Sequence, residues 1–259
     1  MEEIKLDISN DGIATLTFNR PQKSNSISRA LLNSFQINLQ KVFDSEKLRV
    51  LIIKGEGEKA FCAGADLEER KSMSEEDIFS FLDQFRDTLL LLEEIPIPTI
   101  SAINGAAFGG GLEIALACDI RLMKSDVFIG LTETKLGIIP GAGGTQRLSR
   151  IAGISNALSL IYRGKKMNAE EALKYGVVNE VFEASEYFEK VKEFINEIIS
   201  SAPIAVRLAR KAIRKGYFEN LQKALDTERD FYKETLKTKD RLEALNAFKE
   251  KRKPDFKGE

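Results

Sequence analysis

Apolar residues along the chain alternate in some stretches and recur at helical spacing in others, and the switches between these periods mark out its elements. Ile4, Leu6 and Ile8 alternate with polar residues up to Asn10-Asp11-Gly12, and Ala14, Leu16 and Phe18 alternate after it. Turn residues between two alternating runs predict a β-hairpin. Ser28 then offers an N-cap hydroxyl to a helix whose apolar positions are Leu31, Leu32, Phe35, Leu39 and Phe43. Arg49 to Lys54 (RVLIIK) reads as a buried strand. The Gly64-Ala65-Asp66 turn leads through a polar segment into an amphipathic helix around Ile78 to Leu92, closed by Pro96 and Pro98. Thr99 to Ile103 is a further buried strand, Gly109 to Gly111 open an apolar helix reaching Cys118, and Ile120 to Met123 is another short strand.

From about Ala184 the strand signals vanish. Helical segments follow around Tyr187 to Ile199, Ile204 to Lys215, Leu221 to Leu236 and Asp240 to Lys249. The pattern therefore predicts an α/β core over residues 1–183 and a helical region over 184–259. Apolar faces such as Leu221, Leu225, Phe231 and Leu236 would pack on the core or on another subunit. No internal repeat or low-complexity stretch stands out.

A length of 259 residues allows one large domain or a core with an appendage. A formal net charge of -1 gives no global attraction to nucleic acid or anionic membrane. The first residues carry Glu2, Glu3, Asp7 and Asp11 and no apolar run of signal or membrane-span length, so the expected location is the cytoplasm. Cys62 and Cys118 stand alone, which suggests buried apolar fillers rather than a disulfide or a metal site. Histidine is absent altogether. That removes His-dependent triads, His-ligated metals and imidazole acid-base chemistry, and leaves carboxylates as the groups to move protons.

Three constellations can carry chemistry. In Phe61-Cys62-Ala63-Gly64-Ala65-Asp66, small residues after a buried strand let a ligand approach backbone N–H groups, although a tightly packed turn would look the same. In Gly109-Gly110-Gly111-Leu112-Glu113, free N–H groups and a helix dipole form a natural oxyanion site. Glu113 there is either a carboxylate favouring a helix N-terminus or, in its apolar setting, an acid with a raised pKa suited to proton transfer. The third runs from Gly130 to Thr145 and matches neither a Walker motif nor a dinucleotide fingerprint. Its Glu133 reads equally as a solvated acid paired with Lys135 or as a second catalytic carboxylate.

Read together, AFCAGADL, AINGAAFGGGLEIALACDI and GLTETKLGIIPGAGGTQRL resemble, in order and spacing, the signature stretches of the crotonase (enoyl-CoA hydratase/isomerase) superfamily. The likeness extends through LTFNRPQKSNSIS to the tail NAFKEKRKPDFKG. The resemblance implies a spiral of strand-strand-helix repeats, with C-terminal helices that assemble trimers or dimers of trimers. It places an oxyanion hole at the N–H groups of Ala65 and Gly110, acid-base roles on Glu113 and Glu133, and the Gly141 N–H near the water or hydroxyl. It implies coenzyme A contacts at Lys23, Ala63, Asp66 and Leu67, and at Phe248 and Lys251 reaching a neighbouring subunit. Coenzyme A enters as part of the substrate, and no separate cofactor or metal is implied.

Keeping both glutamates favours reversible hydration of a 2-enoyl-CoA, with isomerisation or 3-hydroxyacyl-CoA dehydration as the alternatives. Leu131 stands where several short-chain hydratases have a polar residue, which bears on acyl preference. FCAGADLEER, GLTETKLGIIP and TKDRLEALNAFKEKR are most similar to the branch that contains methylglutaconyl-CoA hydratase. Leucine breakdown and fatty acid oxidation are the pathways this suggests. Some members of that branch are described as RNA-binding, but the helix from Ser28 to Phe43 has only Arg29 and Lys41 as basic residues, a small footprint for RNA.

Overall fold

The structure is a computed structural model that describes residues 2–259. Two compact units divide the chain: one comprises the residues up to Ile95 with Thr99–Val191, the other Pro96–Pro98 with Lys192–Glu259.

The larger unit opens with the expected hairpin. Strand β1 (Ile4–Ile8) pairs antiparallel with β2 (Ile13–Phe18), Ile4 opposite Phe18 and Ile8 opposite Ala14. Helix α1 (Arg29–Phe43) is capped by the Ser28 hydroxyl, which accepts from the Leu31 N–H at 3.0 Å. Its buried stripe is Leu31, Leu32, Phe35, Asn38, Leu39 and Val42, while Phe43, expected among the apolar positions, is 39% exposed. Residue 43 lies about 100° further round the helix than 42, beyond the edge of that stripe.

Strand-strand-helix repeats then follow. Strand β3 (Val50–Gly55) is succeeded by β4 (Ala60–Cys62), α2 (Leu67–Lys71) and α3 (Glu75–Glu94). Next come β5 (Thr99–Ile103), β6 (Ala106–Phe108) and α4 (Gly110–Ala117), then β7 (Ile120–Lys124) and β8 (Ile129–Gly130). Helices α5 (Gly144–Ala152), α6 (Ile154–Tyr162) and α7 (Ala169–Lys174) lead to β9 (Glu180–Phe182). A six-stranded sheet has the order β1-β2-β3-β5-β7-β9, and a three-stranded sheet the order β4-β6-β8. Each crossover from β3 onward thus deposits one strand in the smaller sheet, which is the expected spiral. From β2 on, neighbours in the large sheet are parallel, and β3 and β5 are buried along nearly their whole length, as crossover-covered strands must be.

Where the chain leaves the large sheet for the small one, two buried asparagines replace the lost ladder bonds. Asn104 accepts from the Gly55 N–H at 3.0 Å and donates to the Gly55 and Gly57 carbonyls, and Asn25 donates to the Ala60 carbonyl at 2.7 Å. Without them these backbone groups would be buried unpaired. Cys62 and Cys118 are free and buried, and burial pushes the Cys62 thiol up to about 12.

Helix α8 (Tyr187–Ile199) contains the division between the units, past the expected 183/184 boundary. Tyr187 is 1% exposed and its hydroxyl donates to the Leu122 carbonyl at 3.0 Å, which ties the start of α8 to β7. In the smaller unit α9 (Pro203–Gly216) packs on α10 (Leu221–Thr235), followed by α11 (Lys239–Glu250). The buried Asp240 carboxylate accepts from the N–H groups of Lys257 and Gly258 and fastens the tail. Among the described residues no helix is long and apolar enough to cross a membrane.

Candidate active site

The smaller sheet delivers its polar groups to one pocket of the larger unit. Residues lining it include Ala63, Ala65, Leu67 and Arg70 from the end of β4 through α2, Gly110 and Glu113 from α4, and Glu133 and Gly141 from the long loop after β8. Phe81, Leu82 and Phe85 of α3, with Leu136, Ile138 and Ile139, give it apolar walls around a cavity of about 90 Å³.

Close approach of α4 to β4 explains the glycines. A methyl group at 111 would stand 2.0 Å from the Cys62 carbonyl oxygen, so any side chain there would push the helix off the strand. Gly109 has φ +52 and donates to the Gly130 carbonyl at 2.9 Å, and a methyl group on it would stand 3.2 Å from Glu133 Oε1. Among the described residues no acceptor is paired with the N–H of Ala65 or Gly110. Ile27 and Gly130 instead use the adjoining groups: the Gly64 carbonyl, the Asp66 N–H and the Gly109 N–H. Two unspent donors in one pocket, one of them at a helix N-terminus, suit a developing oxyanion.

Both glutamates are buried here. Glu113 is 3% exposed, and its Oε1 accepts from the N–H groups of Ala142 at 2.8 Å and Gly144 at 2.7 Å. Burial raises its pKa; the two N–H donors and the charges of Arg147 and Arg70 oppose that rise. Arg147 braces the donor loop, donating to the Ala142 carbonyl at 2.8 Å while gripping Glu93 with two contacts of 2.9 Å.

Glu133 begins a 3-10 turn, Glu133–Leu136, and is 9% exposed. Its Oε2 is buried with no protein hydrogen-bond partner. Burial first, and the nearby Glu113 charge in addition, push the carboxyl up to about 7 against the pull of its own N–H and of Arg70. The reading of Glu133 as a solvated acid paired with Lys135 is thereby overturned: Lys135 is exposed and forms no ion pair with it. The loop curls into a turn that turns the carboxylate inward and leaves the lysine in water.

The remaining expected positions divide. Ala63 and Leu67 line the pocket. The Asp66 side chain is occupied structurally, accepting from the Glu69 N–H as N-cap of α2 and from Arg20 at 3.1 Å. Burial works against its ionisation, but Arg20 and the backbone donors outweigh it and hold the carboxyl below its ordinary value. Lys23 is ion-paired with Glu68, three residues before the end of α2. Leu131 is buried, and Thr132 takes its place in the pocket wall. Phe248, 86% exposed, and Lys251 belong to the smaller unit and are not among the pocket's lining residues. Sequence reasoning passed over Arg70, Phe81, Phe85 and Arg147. The helical spacing of Phe81 and Phe85 was a usable signal, whereas nothing local marks Arg70 or Arg147.

Comparison with known proteins supplies context for this geometry. The model of the enoyl-CoA hydratase/isomerase family matches residues 8–259. An enoyl-CoA isomerase/hydratase of Mycosarcoma maydis is 45% identical over 256 residues, covering 95% of this chain and 93% of that protein. The mitochondrial methylglutaconyl-CoA hydratase of Homo sapiens is 42% identical over 258 residues, covering 98% and 76%. The crystal structure of an enoyl-CoA hydratase from Bacillus anthracis superposes with a TM-score of 0.96 at 46% identity, covering 99% of this chain and all of that one.

Proposed function

The chain belongs to the enoyl-CoA hydratase/isomerase family, and on that premise we propose that it reversibly adds water across the 2,3 double bond of a 2-enoyl-CoA thioester. The observation that carries this reading is the pair of buried carboxylates, Glu113 and Glu133, with raised pKa in one pocket. Because the Glu113 charge disfavours ionisation of Glu133, the pair is suited to holding one proton between them. The ionised member takes a proton from water as its oxygen bonds to C3. The protonated member gives its proton to C2. The pair carries one proton before and after, so the same state serves hydration and dehydration.

The Ala65 and Gly110 N–H groups would hold the thioester oxygen while charge develops on it as an enolate. The Gly141 N–H, in the pocket rim, would hold the water or the product hydroxyl. Coenzyme A would run past Ala63, Asp66 and Leu67 toward Lys23, with Phe248 and Lys251 contributing from a neighbouring copy in a trimer or dimer of trimers. No separate cofactor takes part, and 3-methylglutaconyl-CoA is a substrate that the human relative suggests. Hydration of crotonyl-CoA and 3-methylglutaconyl-CoA by the wild type, Glu113→Gln and Glu133→Gln tests the mechanism. Wild-type turnover in both variants would refute the two-glutamate mechanism, and hydration of no enoyl-CoA by the wild type would refute the activity.

A second reading is favoured by the unpartnered Glu133 Oε2. One such carboxylate is enough to take a proton from C2 of a 3-enoyl-CoA and return it to C4. Wild type that isomerises a 3-enoyl-CoA but hydrates no 2-enoyl-CoA, with the isomerisation surviving Glu113→Gln, would establish this reading instead.

A further inference from the structure

We propose that Arg70 binds a carboxylate on the acyl chain of the substrate, making this enzyme selective for 2-enoyl-CoA thioesters that carry a second, distal carboxylate. The inference rests on the hydratase reading above and names the substrate class of the same site. Arg70 lies in the last turn of α2, half-buried, and lines the pocket with Glu113 and Glu133. Its guanidinium forms no hydrogen bond or ion pair among the described residues. Other cations of the larger unit are engaged: Arg20 with Asp66, Lys23 with Glu68, Arg29 with Asp77 at 2.7 Å, and Arg147 with Glu93.

A half-buried guanidinium facing apolar walls is a liability unless an anion meets it. The glutamates do not account for it. Arg70 exerts only a small influence on each of them, and Glu133 stays high in spite of it. A plain alkyl chain would need only the surfaces of Phe81, Phe85 and Ile139. Against such a chain, the fork of Arg70 would be left desolvated and unmatched, which is how a polar site rejects a substrate lacking its partner. A carboxylate fits the fork with two parallel bonds. The phosphates of coenzyme A are the other anionic source, but they are common to every substrate and so can be separated by experiment.

The test compares wild type, Arg70→Met and Arg70→Lys on crotonyl-CoA and 3-methylglutaconyl-CoA. Arg70→Met is expected to lower the ratio of kcat/KM for the carboxylate-bearing substrate to kcat/KM for crotonyl-CoA by about 10- to 100-fold, mainly through KM of the former, with Arg70→Lys falling between. Equal losses on both substrates would overturn the proposal in favour of phosphate contact or carboxylate tuning, as would no loss on either. Wild type that hydrates crotonyl-CoA and rejects the carboxylate-bearing substrate would also overturn it, leaving the hydratase reading intact. Calorimetric titration with the saturated analogues glutaryl-CoA and butyryl-CoA reads the same preference without turnover, so that the two readings fail separately. Tighter glutaryl-CoA binding that disappears in Arg70→Met supports the Arg70 site; equal binding of the two analogues to wild type refutes it.

Discussion

The two sheets of the larger unit come from the same repeats but are built of opposite material. The six-stranded sheet uses strands such as VLIIKG and TISAI, five or six residues long, whose branched side chains are buried. The three-stranded sheet uses AFC, AAF and IG, two or three residues long and mostly small. Long apolar strands bury area, and that is where folding free energy comes from. Short strands of small residues bury little but let α4 approach the Cys62 carbonyl and bring backbone donors and two carboxylates into one pocket. One sheet holds the larger unit together, and the other spends stability on chemistry.

Substitutions on the two sides should therefore dissociate activity from stability. The largest effect expected is on the small-sheet side: Glu113→Gln or Glu133→Gln should lower kcat for enoyl-CoA hydration by about 10²- to 10⁴-fold with no loss of melting temperature. On the other side, Leu16→Ala or Ile53→Ala removes a fully buried side chain and should cost about 2–5 kcal/mol in denaturant unfolding. The kcat of the protein that remains folded should match wild type. A variant of either kind that moved both quantities together would break the comparison.

The same contrast governs what could be read from the sequence. The strands of the large sheet were legible because runs such as RVLIIK are long enough to show burial, α1 because cap and spacing agree, α3 from its spacing and closing prolines, and α4 as an apolar run opened by glycines. The small sheet was not, since strands of Ala60–Cys62, Ala106–Phe108 and Ile129–Gly130 carry no period to detect. Helices α5 to α7 were not legible, being only six to nine residues long and separated by Gly143, Gly153 and Gly164. Glu113 was marked by its apolar setting. Glu133 was undecided because its burial depends on a 3-10 turn closing over a loop, a tertiary event with no local signature. Arg70 sits in a polar segment, and only the pocket shows that its guanidinium lacks a partner.

The cost of the buried acids should show in the pH dependence of stability. Glu133 has a folded pKa of about 7 against an ordinary value of 4.5, so the folded state holds its proton more tightly than the unfolded chain. Stability from this group is complete below about 4.5 and is lost as pH rises through 7. Glu133→Gln should then stabilise the protein by roughly 1–3 kcal/mol at about pH 8 and leave it nearly unchanged at about pH 4. Chemical denaturation at the two pH values measures this; equal effects at both would show that Glu133 is not strained by its burial.

The smallest effect tests how the two sides are joined. Arg147 lies in α5, outside both sheets. It holds the Ala142 carbonyl and Glu93, and so fixes the loop whose N–H groups grip Glu113. Arg147→Met removes the brace and the positive charge together. It should lower kcat by about 10-fold and raise the more acidic limb of the pH–rate profile, because Glu113 loses influences that favour its ionised form. Arg147→Lys keeps the charge without the two-pronged grip on Glu93, so it should restore the pH profile but not the rate. A loss of kcat with an unmoved profile in Arg147→Met would mean that the brace acts through loop position alone, and that charge plays no part in poising Glu113.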